Sequence, residues 1–366
     1  METPSRSCLV VVRCGGAPLR IPFFFMSAHR TSTYSLADCM IGFSGLVFNF
    51  LLVALASMVV SGEGHAARPI SEIEPLTRLQ VFLDRQGFSP GKIDGRDGGF
   101  TRKAIALYRQ SRGEVLPVDA PAGNSANVDG LDLQSIDPVF VEYEVTEDDI
   151  ELLGKMASTV EEQAKQESMP YVTAAELIAE KFHCDVDFLA ELNPGKTDSI
   201  KAGDQLKVPN VEPFDLVALQ KPFPELPAEQ AANIALKIDV VKNMLSVFDQ
   251  GQLVAAYPVT IGGLETLSPV GEWKVKGVAR MPDFRYDKRV LKEGIRSEDF
   301  HILKPGPNNP VGVIWIALDK SGLGIHGTNE PDTIGRSASH GCVRLANWDV
   351  ARLAKIVKTG VAVSIK

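Results

Sequence analysis

From Ile234 onward the apolar residues recur at every second position, and no other feature of the chain narrows its folding options as much. Ile234, Leu236, Ile238 and Val240 alternate with polar or small partners. A period of two places all four side chains on one face of an extended strand. Similar segments, residues 245–248 and 254–260, follow turns at Lys242-Asn243 and Gln250-Gly251. The pattern predicts a β-meander, continued by residues 272–278 and 313–318. The C-terminal part of the chain is therefore expected to be mostly β.

Upstream the period changes, and proline-bearing stretches separate the pieces. At 366 residues the chain exceeds the usual size of one core, so several modules are expected. Leu76, Leu79, Val81, Phe82 and Leu83 precede Gly87 in one helical pattern, and Ala104, Ile105 and Tyr108 follow Thr101 in a second. Thr101 is the expected N-cap. The intervening residues 89–95 read as a turn, because a calcium loop would need alternating acids and a distal Glu. Residues 68–112 resemble a peptidoglycan-binding helical module in Leu79-Gln80, Gly87-Phe88, Gly91, Asp94-Gly95, Gly99-Phe100-Thr101 and Ala104. The alternative is a helical domain that binds nothing. Residues 113–138, rich in Pro, Gly, Asp, Ser and Asn, read as a linker.

Residues 139–210 combine a strand near Phe140, short helices at 176–182 and 186–192, and a strand at 205–209. That order resembles a LysM fold with an insertion at 151–171, which implies either a glycan binder or a spacer. Residues 211–230 carry Pro213, Pro222, Pro224 and Pro227 and read as a stiff connector to the domain at 231–366. Such connectors imply modules that fold separately.

The uncharged run from Met40 to Val60 approaches the roughly 20 residues that span a bilayer. Arg6, Arg13, Arg20 and Arg30 precede it against only Glu2 and Asp38, so this end stays in the cytoplasm and the remainder crosses. Residues 1–67 are expected to be an export element. It is either a signal cleaved near Gly64-His65-Ala66 or an inner-membrane anchor at 40–60, and Met26 is an alternative start. The expected location is the periplasm, with membrane contact only through this segment. Cys8, Cys14 and Cys39 fall within it, which leaves Cys184 and Cys342 and no disulfide framework.

The net charge of −8 hides an asymmetry. Residues 68–230 hold 16 basic and 30 acidic side chains, whereas residues 231–366 hold 18 and 13. A basic C-terminal half suits an anionic polymer, and a solvated surface of mixed charge is the plainer reading. No Lys/Arg run with interleaved aromatics occurs, which disfavours nucleic acid.

The chemistry concentrates in Gly324-Ile325-His326-Gly327-Thr328-Asn329 and in residues 335–345, which contain Ser339-His340-Gly341-Cys342-Val343-Arg344. A cysteine is a nucleophile only as its thiolate, so it needs an imidazole or a positive field beside it. His326 and His340 are the candidates. Glycines at 327 and 341 permit close backbone approach, and the Gly341 and Cys342 amides could hold an oxyanion. A buried cysteine with two core histidines is the bland alternative. Zinc on His326, His340 and Cys342 is a second, though no fourth ligand is evident. A papain-like order is disfavoured because there the cysteine precedes its histidine.

This segment resembles the signature of the L,D-transpeptidase (YkuD-like) catalytic domain. The likeness extends over residues 231–366 and includes Ser268-Pro269-Val270-Gly271-Glu272-Trp273, Asn309-Pro310-Val311-Gly312, Trp315-Ile316 and Asn347-Trp348-Asp349-Val350. It departs mildly at Ser268, where threonine is frequent, and at Val311, where leucine is frequent. The implied architecture is multidomain, with a mostly β catalytic sandwich preceded by the helical peptidoglycan-binding-like and α+β LysM-like modules. The implied reaction is acyl transfer from a murein tetrapeptide through a Cys342 thioester, with loss of D-Ala and no cofactor. The resemblance assigns His326 as base, the Gly327 carbonyl as its orienter, and His340 as a residue shaping the site. It assigns Gly341 with Cys342 to the oxyanion, Arg344 to a substrate carboxylate or an internal ion pair, and Ser339 to a local hydrogen bond. The acceptor would be a murein amine or a protein. Alternatives are an L,D-carboxypeptidase or endopeptidase using water, or an inert murein-binding protein.

Overall fold

The computed structural model describes residues 68–114, 127–221, 233–262, 269–336 and 341–366. Residues 63–366 belong to one compact unit, and the separate unit at 1–62 lies outside the described residues, as do the expected export segment and apolar run. Among the described residues no helix is long and apolar enough to cross a membrane.

The chain begins with α1 (Ile70–Arg85) and α2 (Gly99–Ser111). The second helix is capped by Gly98 rather than by the expected Thr101. Thr101 lies inside α2, buried, where its hydroxyl accepts from Gln80 at 3.3 Å. Then come β1 (Phe140–Glu144), α3 (Glu147–Glu151), α4 (Val160–Gln163), α5 (Ala174–Lys181), α6 (Val186–Leu192) and β2 (Gln205–Pro209). Thr173 and Glu176 form a capping box at the start of α5, and the Asp185 side chain caps α6. β1 and β2 pair antiparallel.

The C-terminal part contains β3 (Ile234–Asp239), β4 (Met244–Asp249), β5 (Gln252–Pro258), β6 (Gly271–Arg280), β7 (Phe284–Tyr286), α7 (Lys288–Glu293), β8 (His301–Leu303), β9 (Ile314–Leu318), β10 (Gly324–His326), β11 (Val343–Arg344), α8 (Asn347–Ala354) and β12 (Ala362–Ile365). Eight of these strands form one sheet in the order β11, β10, β9, β6, β12, β3, β4, β5. The expected meander holds for β3 to β5. It does not continue into β6, because the C-terminal β12 inserts between β6 and β3 and pairs parallel with β3. A strand from the chain's end can take that place because its alternating valines and isoleucine bury both Val363 and Ile365.

The expected sandwich is met only in the coarser sense of a mostly β domain. β6 pairs with β12 through its first half and with β9 through its second, with a register shift between Val275 and Gly277. Such an irregularity bends a strand. The sheet curls until its edges meet, where the Thr260 and Arg344 backbones exchange two hydrogen bonds of 2.9 Å.

The three parts pack against one another. Buried residues of all three parts form one continuous core. Phe88 bridges to Ala256 beside β5, and Ser89 on the same turn donates to Asp349 of α8 at 2.9 Å. Residues 133–135, within the expected linker, form a short helical turn, and the Arg78 guanidinium donates to the Ile136 carbonyl. Of the expected linker and connector, residues 115–126 and 222–230 lie outside the described residues.

Candidate active site

β10 and β11 are short parallel neighbours at one end of the curled sheet, with Ile325 opposite Val343 and His326 opposite Arg344. Side chains alternate along a strand, and cross-strand partners share a face. Ile325 and Val343 therefore point into the core, where both are fully buried. His326 and Arg344 take the opposite face, and Cys342, two residues before Arg344, shares it. Arg344 stands close enough to act electrostatically on both the His326 imidazole and the Cys342 thiol.

His326 is 3% exposed and lies flat against Trp315, with ring centroids 5.2 Å apart and 18° between the planes. Its Nδ1 is 2.6 Å from the Gly327 carbonyl oxygen. A carbonyl only accepts, so Nδ1 carries the proton and Nε2 is the unprotonated ring nitrogen. Burial pushes the imidazole pKa down to about 4, with Arg344 acting in the same direction against backbone groups of Gly327 and Val311. At neutral pH the ring is uncharged.

Cys342 is partly exposed, and its thiol donates to the Gly322 carbonyl at 3.4 Å. Burial raises its pKa, while a backbone hydrogen bond from Gly324 and the Arg344 charge lower it. Burial thus penalises the thiolate and the imidazolium alike, which favours the neutral form of both groups. Gly341 precedes the cysteine at φ 104°, a conformation that a side chain would strain. Ser339 and His340 lie outside the described residues.

Arg344 has no carboxylate within 4.0 Å among the described residues, and its buried Nε has no hydrogen-bond partner there. Its pKa is lowered first by burial, while Cys342 and Glu330 raise it. The guanidinium acts as a positive field on both other groups, and it retains the capacity to receive an anion. Cys184, the other described cysteine, is buried, and burial raises its pKa well above the ordinary thiol value. Among the described residues no group of three or more His, Cys, Asp or Glu is placed to hold a metal ion.

Several supporting residues carry no role in the sequence reading. Asn347, fully buried, accepts from the Val313 amide at 3.2 Å and donates to Glu180 of α5 at 2.9 Å. A Cβ on Gly327 would fall 2.2 Å from Asn347 Oδ1, so that position admits only glycine. Thr260 donates to the Thr333 carbonyl at 3.1 Å and accepts from the Gly335 amide at 2.8 Å, which fixes the chain entering the signature. Phe100 of α2 presses on the same turn, 2.3 Å from where a Gly335 Cβ would lie. A buried Asn in the first turn of α8 is a readable local signal, whereas Glu180 offers none.

Residues 234–365 match the YkuD family, described as the L,D-transpeptidase catalytic domain. A Bacillus licheniformis protein assigned as the L,D-transpeptidase YkuD is 29% identical over 191 residues, 52% of this chain and 92% of that protein. Its Bacillus subtilis counterpart is 28% identical, over 51% of this chain and 90% of that protein. A solved L,D-transpeptidase from Mycobacterium smegmatis aligns with a TM-score of 0.30 and 19% identity, covering 37% of this chain and 58% of that one.

Proposed function

For a chain that is an enzyme of the L,D-transpeptidase type, we propose that Cys342 is the nucleophile and His326 Nε2 the base of a two-step acyl transfer on murein stem tetrapeptides. The observation that carries this reading is the 2.6 Å hydrogen bond from His326 Nδ1 to the Gly327 carbonyl, which commits the other ring nitrogen to accepting a proton. As Sγ attacks the carbonyl of the diaminopimelate residue, its proton passes to Nε2. The carbon–nitrogen bond to terminal D-Ala breaks, and the proton leaves with the D-Ala amine. An acceptor amine of a neighbouring stem or of a protein then attacks the thioester, giving its proton to Nε2 and expelling the thiolate.

The Gly341 and Cys342 amides stabilise the oxyanion, and the positive φ at Gly341, open to glycine, favours this use of the backbone. Arg344 takes the substrate carboxylate, which its lack of a nearby internal carboxylate supports. His340 and Ser339 complete the walls of the site. The chain works outside the cytoplasmic membrane, and the helical and LysM-like parts hold it on the glycan. Export rests on the apolar run at 40–60 with its arginine-rich approach, and the glycan role on the family resemblance of those two parts.

The test is intact-protein mass after exposure to a carbapenem, alongside D-Ala release from a tetrapeptide. Cys342→Ala should form no adduct and release nothing. His326→Ala should stay folded and acylate on the order of 100-fold more slowly. An adduct on Cys342→Ala, or a folded His326→Ala reacting at the wild-type rate, would sink the assignment.

A further inference from the structure

Helix α5 lies far upstream of the signature in sequence, yet its Glu180 is buried directly behind the catalytic strand pair. One Glu180 oxygen accepts from Asn347 Nδ2 at 2.9 Å, and the other accepts from the Tyr171 hydroxyl. Asn347 turns its own oxygen to the Val313 amide at 3.2 Å, and that oxygen also fills the space where side chains at Gly312 and Gly327 would stand. Gly327 in turn supplies the carbonyl that holds His326 Nδ1. An unbroken series of contacts thus runs from α5 to the imidazole.

The same stretch of α5 and its approach grips the loop that leads into β9. Met169 donates its amide to the Pro305 carbonyl at 2.9 Å and accepts from the Asn308 amide at 3.1 Å. Asn308 Nδ2 reaches the Pro170 carbonyl at 2.8 Å and Glu176 at 2.7 Å. Residues 305–308 are therefore clasped by residues 169–176, a few positions before Gly312 meets Gly327. A carboxylate is an expensive way to fill such a place. Burial pushes Glu180 up to about 7, and an apolar side chain of similar volume would avoid that penalty.

We propose that Glu180 is a positioning residue for the transfer reaction, orienting the His326 imidazole through Asn347 and the Gly327 peptide, so that catalytic competence requires the middle part of the chain to be docked. The inference rests on the assignment of Cys342 and His326 given above.

The experiment measures the limiting rate and half-saturating concentration of carbapenem acylation in the full chain, normalised to thiols that finally form adduct. Glu180→Met fills the volume without accepting a hydrogen bond and should lower the limiting rate on the order of 10-fold, with the half-saturating concentration unchanged. Glu180→Gln keeps an acceptor for Asn347 and should stay within about twofold of wild type. A purely structural Glu180 would lower the unfolding midpoint or the titratable fraction and leave the normalised rate alone. A folded Glu180→Met with the wild-type limiting rate overturns the proposal, as does a Glu180→Gln that is as slow as Glu180→Met. Adduct formation by Cys342→Ala would instead overturn the underlying assignment.

Discussion

Replacing Asp84 by Ala should destabilise the whole described unit, because this one carboxylate sits where its three parts meet. Asp84 is fully buried on α1. It accepts from Arg352 of α8 at 2.8 Å and from His183, at the end of α5, at 3.0 Å. His183 is itself buried and stacks on Trp348, with centroids 5.4 Å apart at 14°. Burial alone would push Asp84 up, but His183 and Arg352 outweigh it and hold the carboxyl well below the usual range. Burial depresses His183, so at neutral pH it is uncharged and Arg352 is the cationic partner.

Breaking a buried ion pair from one side costs about 3–5 kcal/mol. Arg352 keeps 21% of its side chain exposed, so water recovers part of its loss and the lower end applies. His183 is 1% exposed and loses its acceptor outright, which costs about 1–3 kcal/mol. A total of about 4–6 kcal/mol follows, or roughly 8–24 °C in unfolding midpoint. The assay is urea unfolding followed by tryptophan fluorescence and far-ultraviolet circular dichroism. Both probes should shift together, and Asp84→Ala/Arg352→Met should recover at least about 1 kcal/mol because it removes both charges. A loss below about 1 kcal/mol, or separate transitions for the two probes in wild type, would refute the shared junction.

Acylation should depend on pH as a buried base requires. With His326 at about 4, only about 3% would be protonated at pH 5.5, against about 90% for an ordinary imidazole. The acylation rate should therefore hold down to about pH 5 and fall through 4, and a fall centred near 6.5 would contradict the neutral resting pair. Asp349 is pushed up to about 7, first by burial, against Arg352 and with Asp84 adding to the rise. Its folded form keeps a proton that the unfolded chain loses near pH 4, so its stabilising contribution is full below about 4 and is lost as pH rises through 7. Asp349→Asn should flatten the decline in melting temperature between pH 4.5 and 8, and an unchanged slope would assign the decline elsewhere. Deleting residues 68–112 uncovers β5 and α8 and should yield an insoluble or molten remainder, whereas a cooperative melt with wild-type acylation would show that the parts fold apart.

The C-terminal sheet was legible because alternation is a local property, and β3, β4 and β5 fall where the period predicts. Their neighbour was not, since β12 enters between β3 and β6 from the far end of the chain. No local pattern encodes which strand inserts where. Thr101 shows a second limit. Its type and spacing fit an N-cap, but the tertiary partner Gln80 drew it into the helix. Proline-bearing connectors suggested independence, yet junctions such as Asp84 with His183 and Arg352 depend on residues far apart in sequence.

The site divides along the same line. Cys342, His326 and Arg344 stand out by type and by glycine-bearing context, and even their common face follows from strand parity once β10 and β11 are paired. Their protonation does not follow. A cysteine beside a histidine in sequence invites a thiolate–imidazolium pair, but burial penalises both charged forms together and Arg344 opposes a second cation beside it. What depresses the imidazole is burial, to which the stacked Trp315 ring contributes, with the Arg344 charge adding to it. A catalytic domain cut free of its neighbours would keep every signature residue while loosening what sets their charge state. On the proposed mechanism, the reactivity of Cys342 belongs to the assembled unit, and the signature alone specifies only where the proton can go.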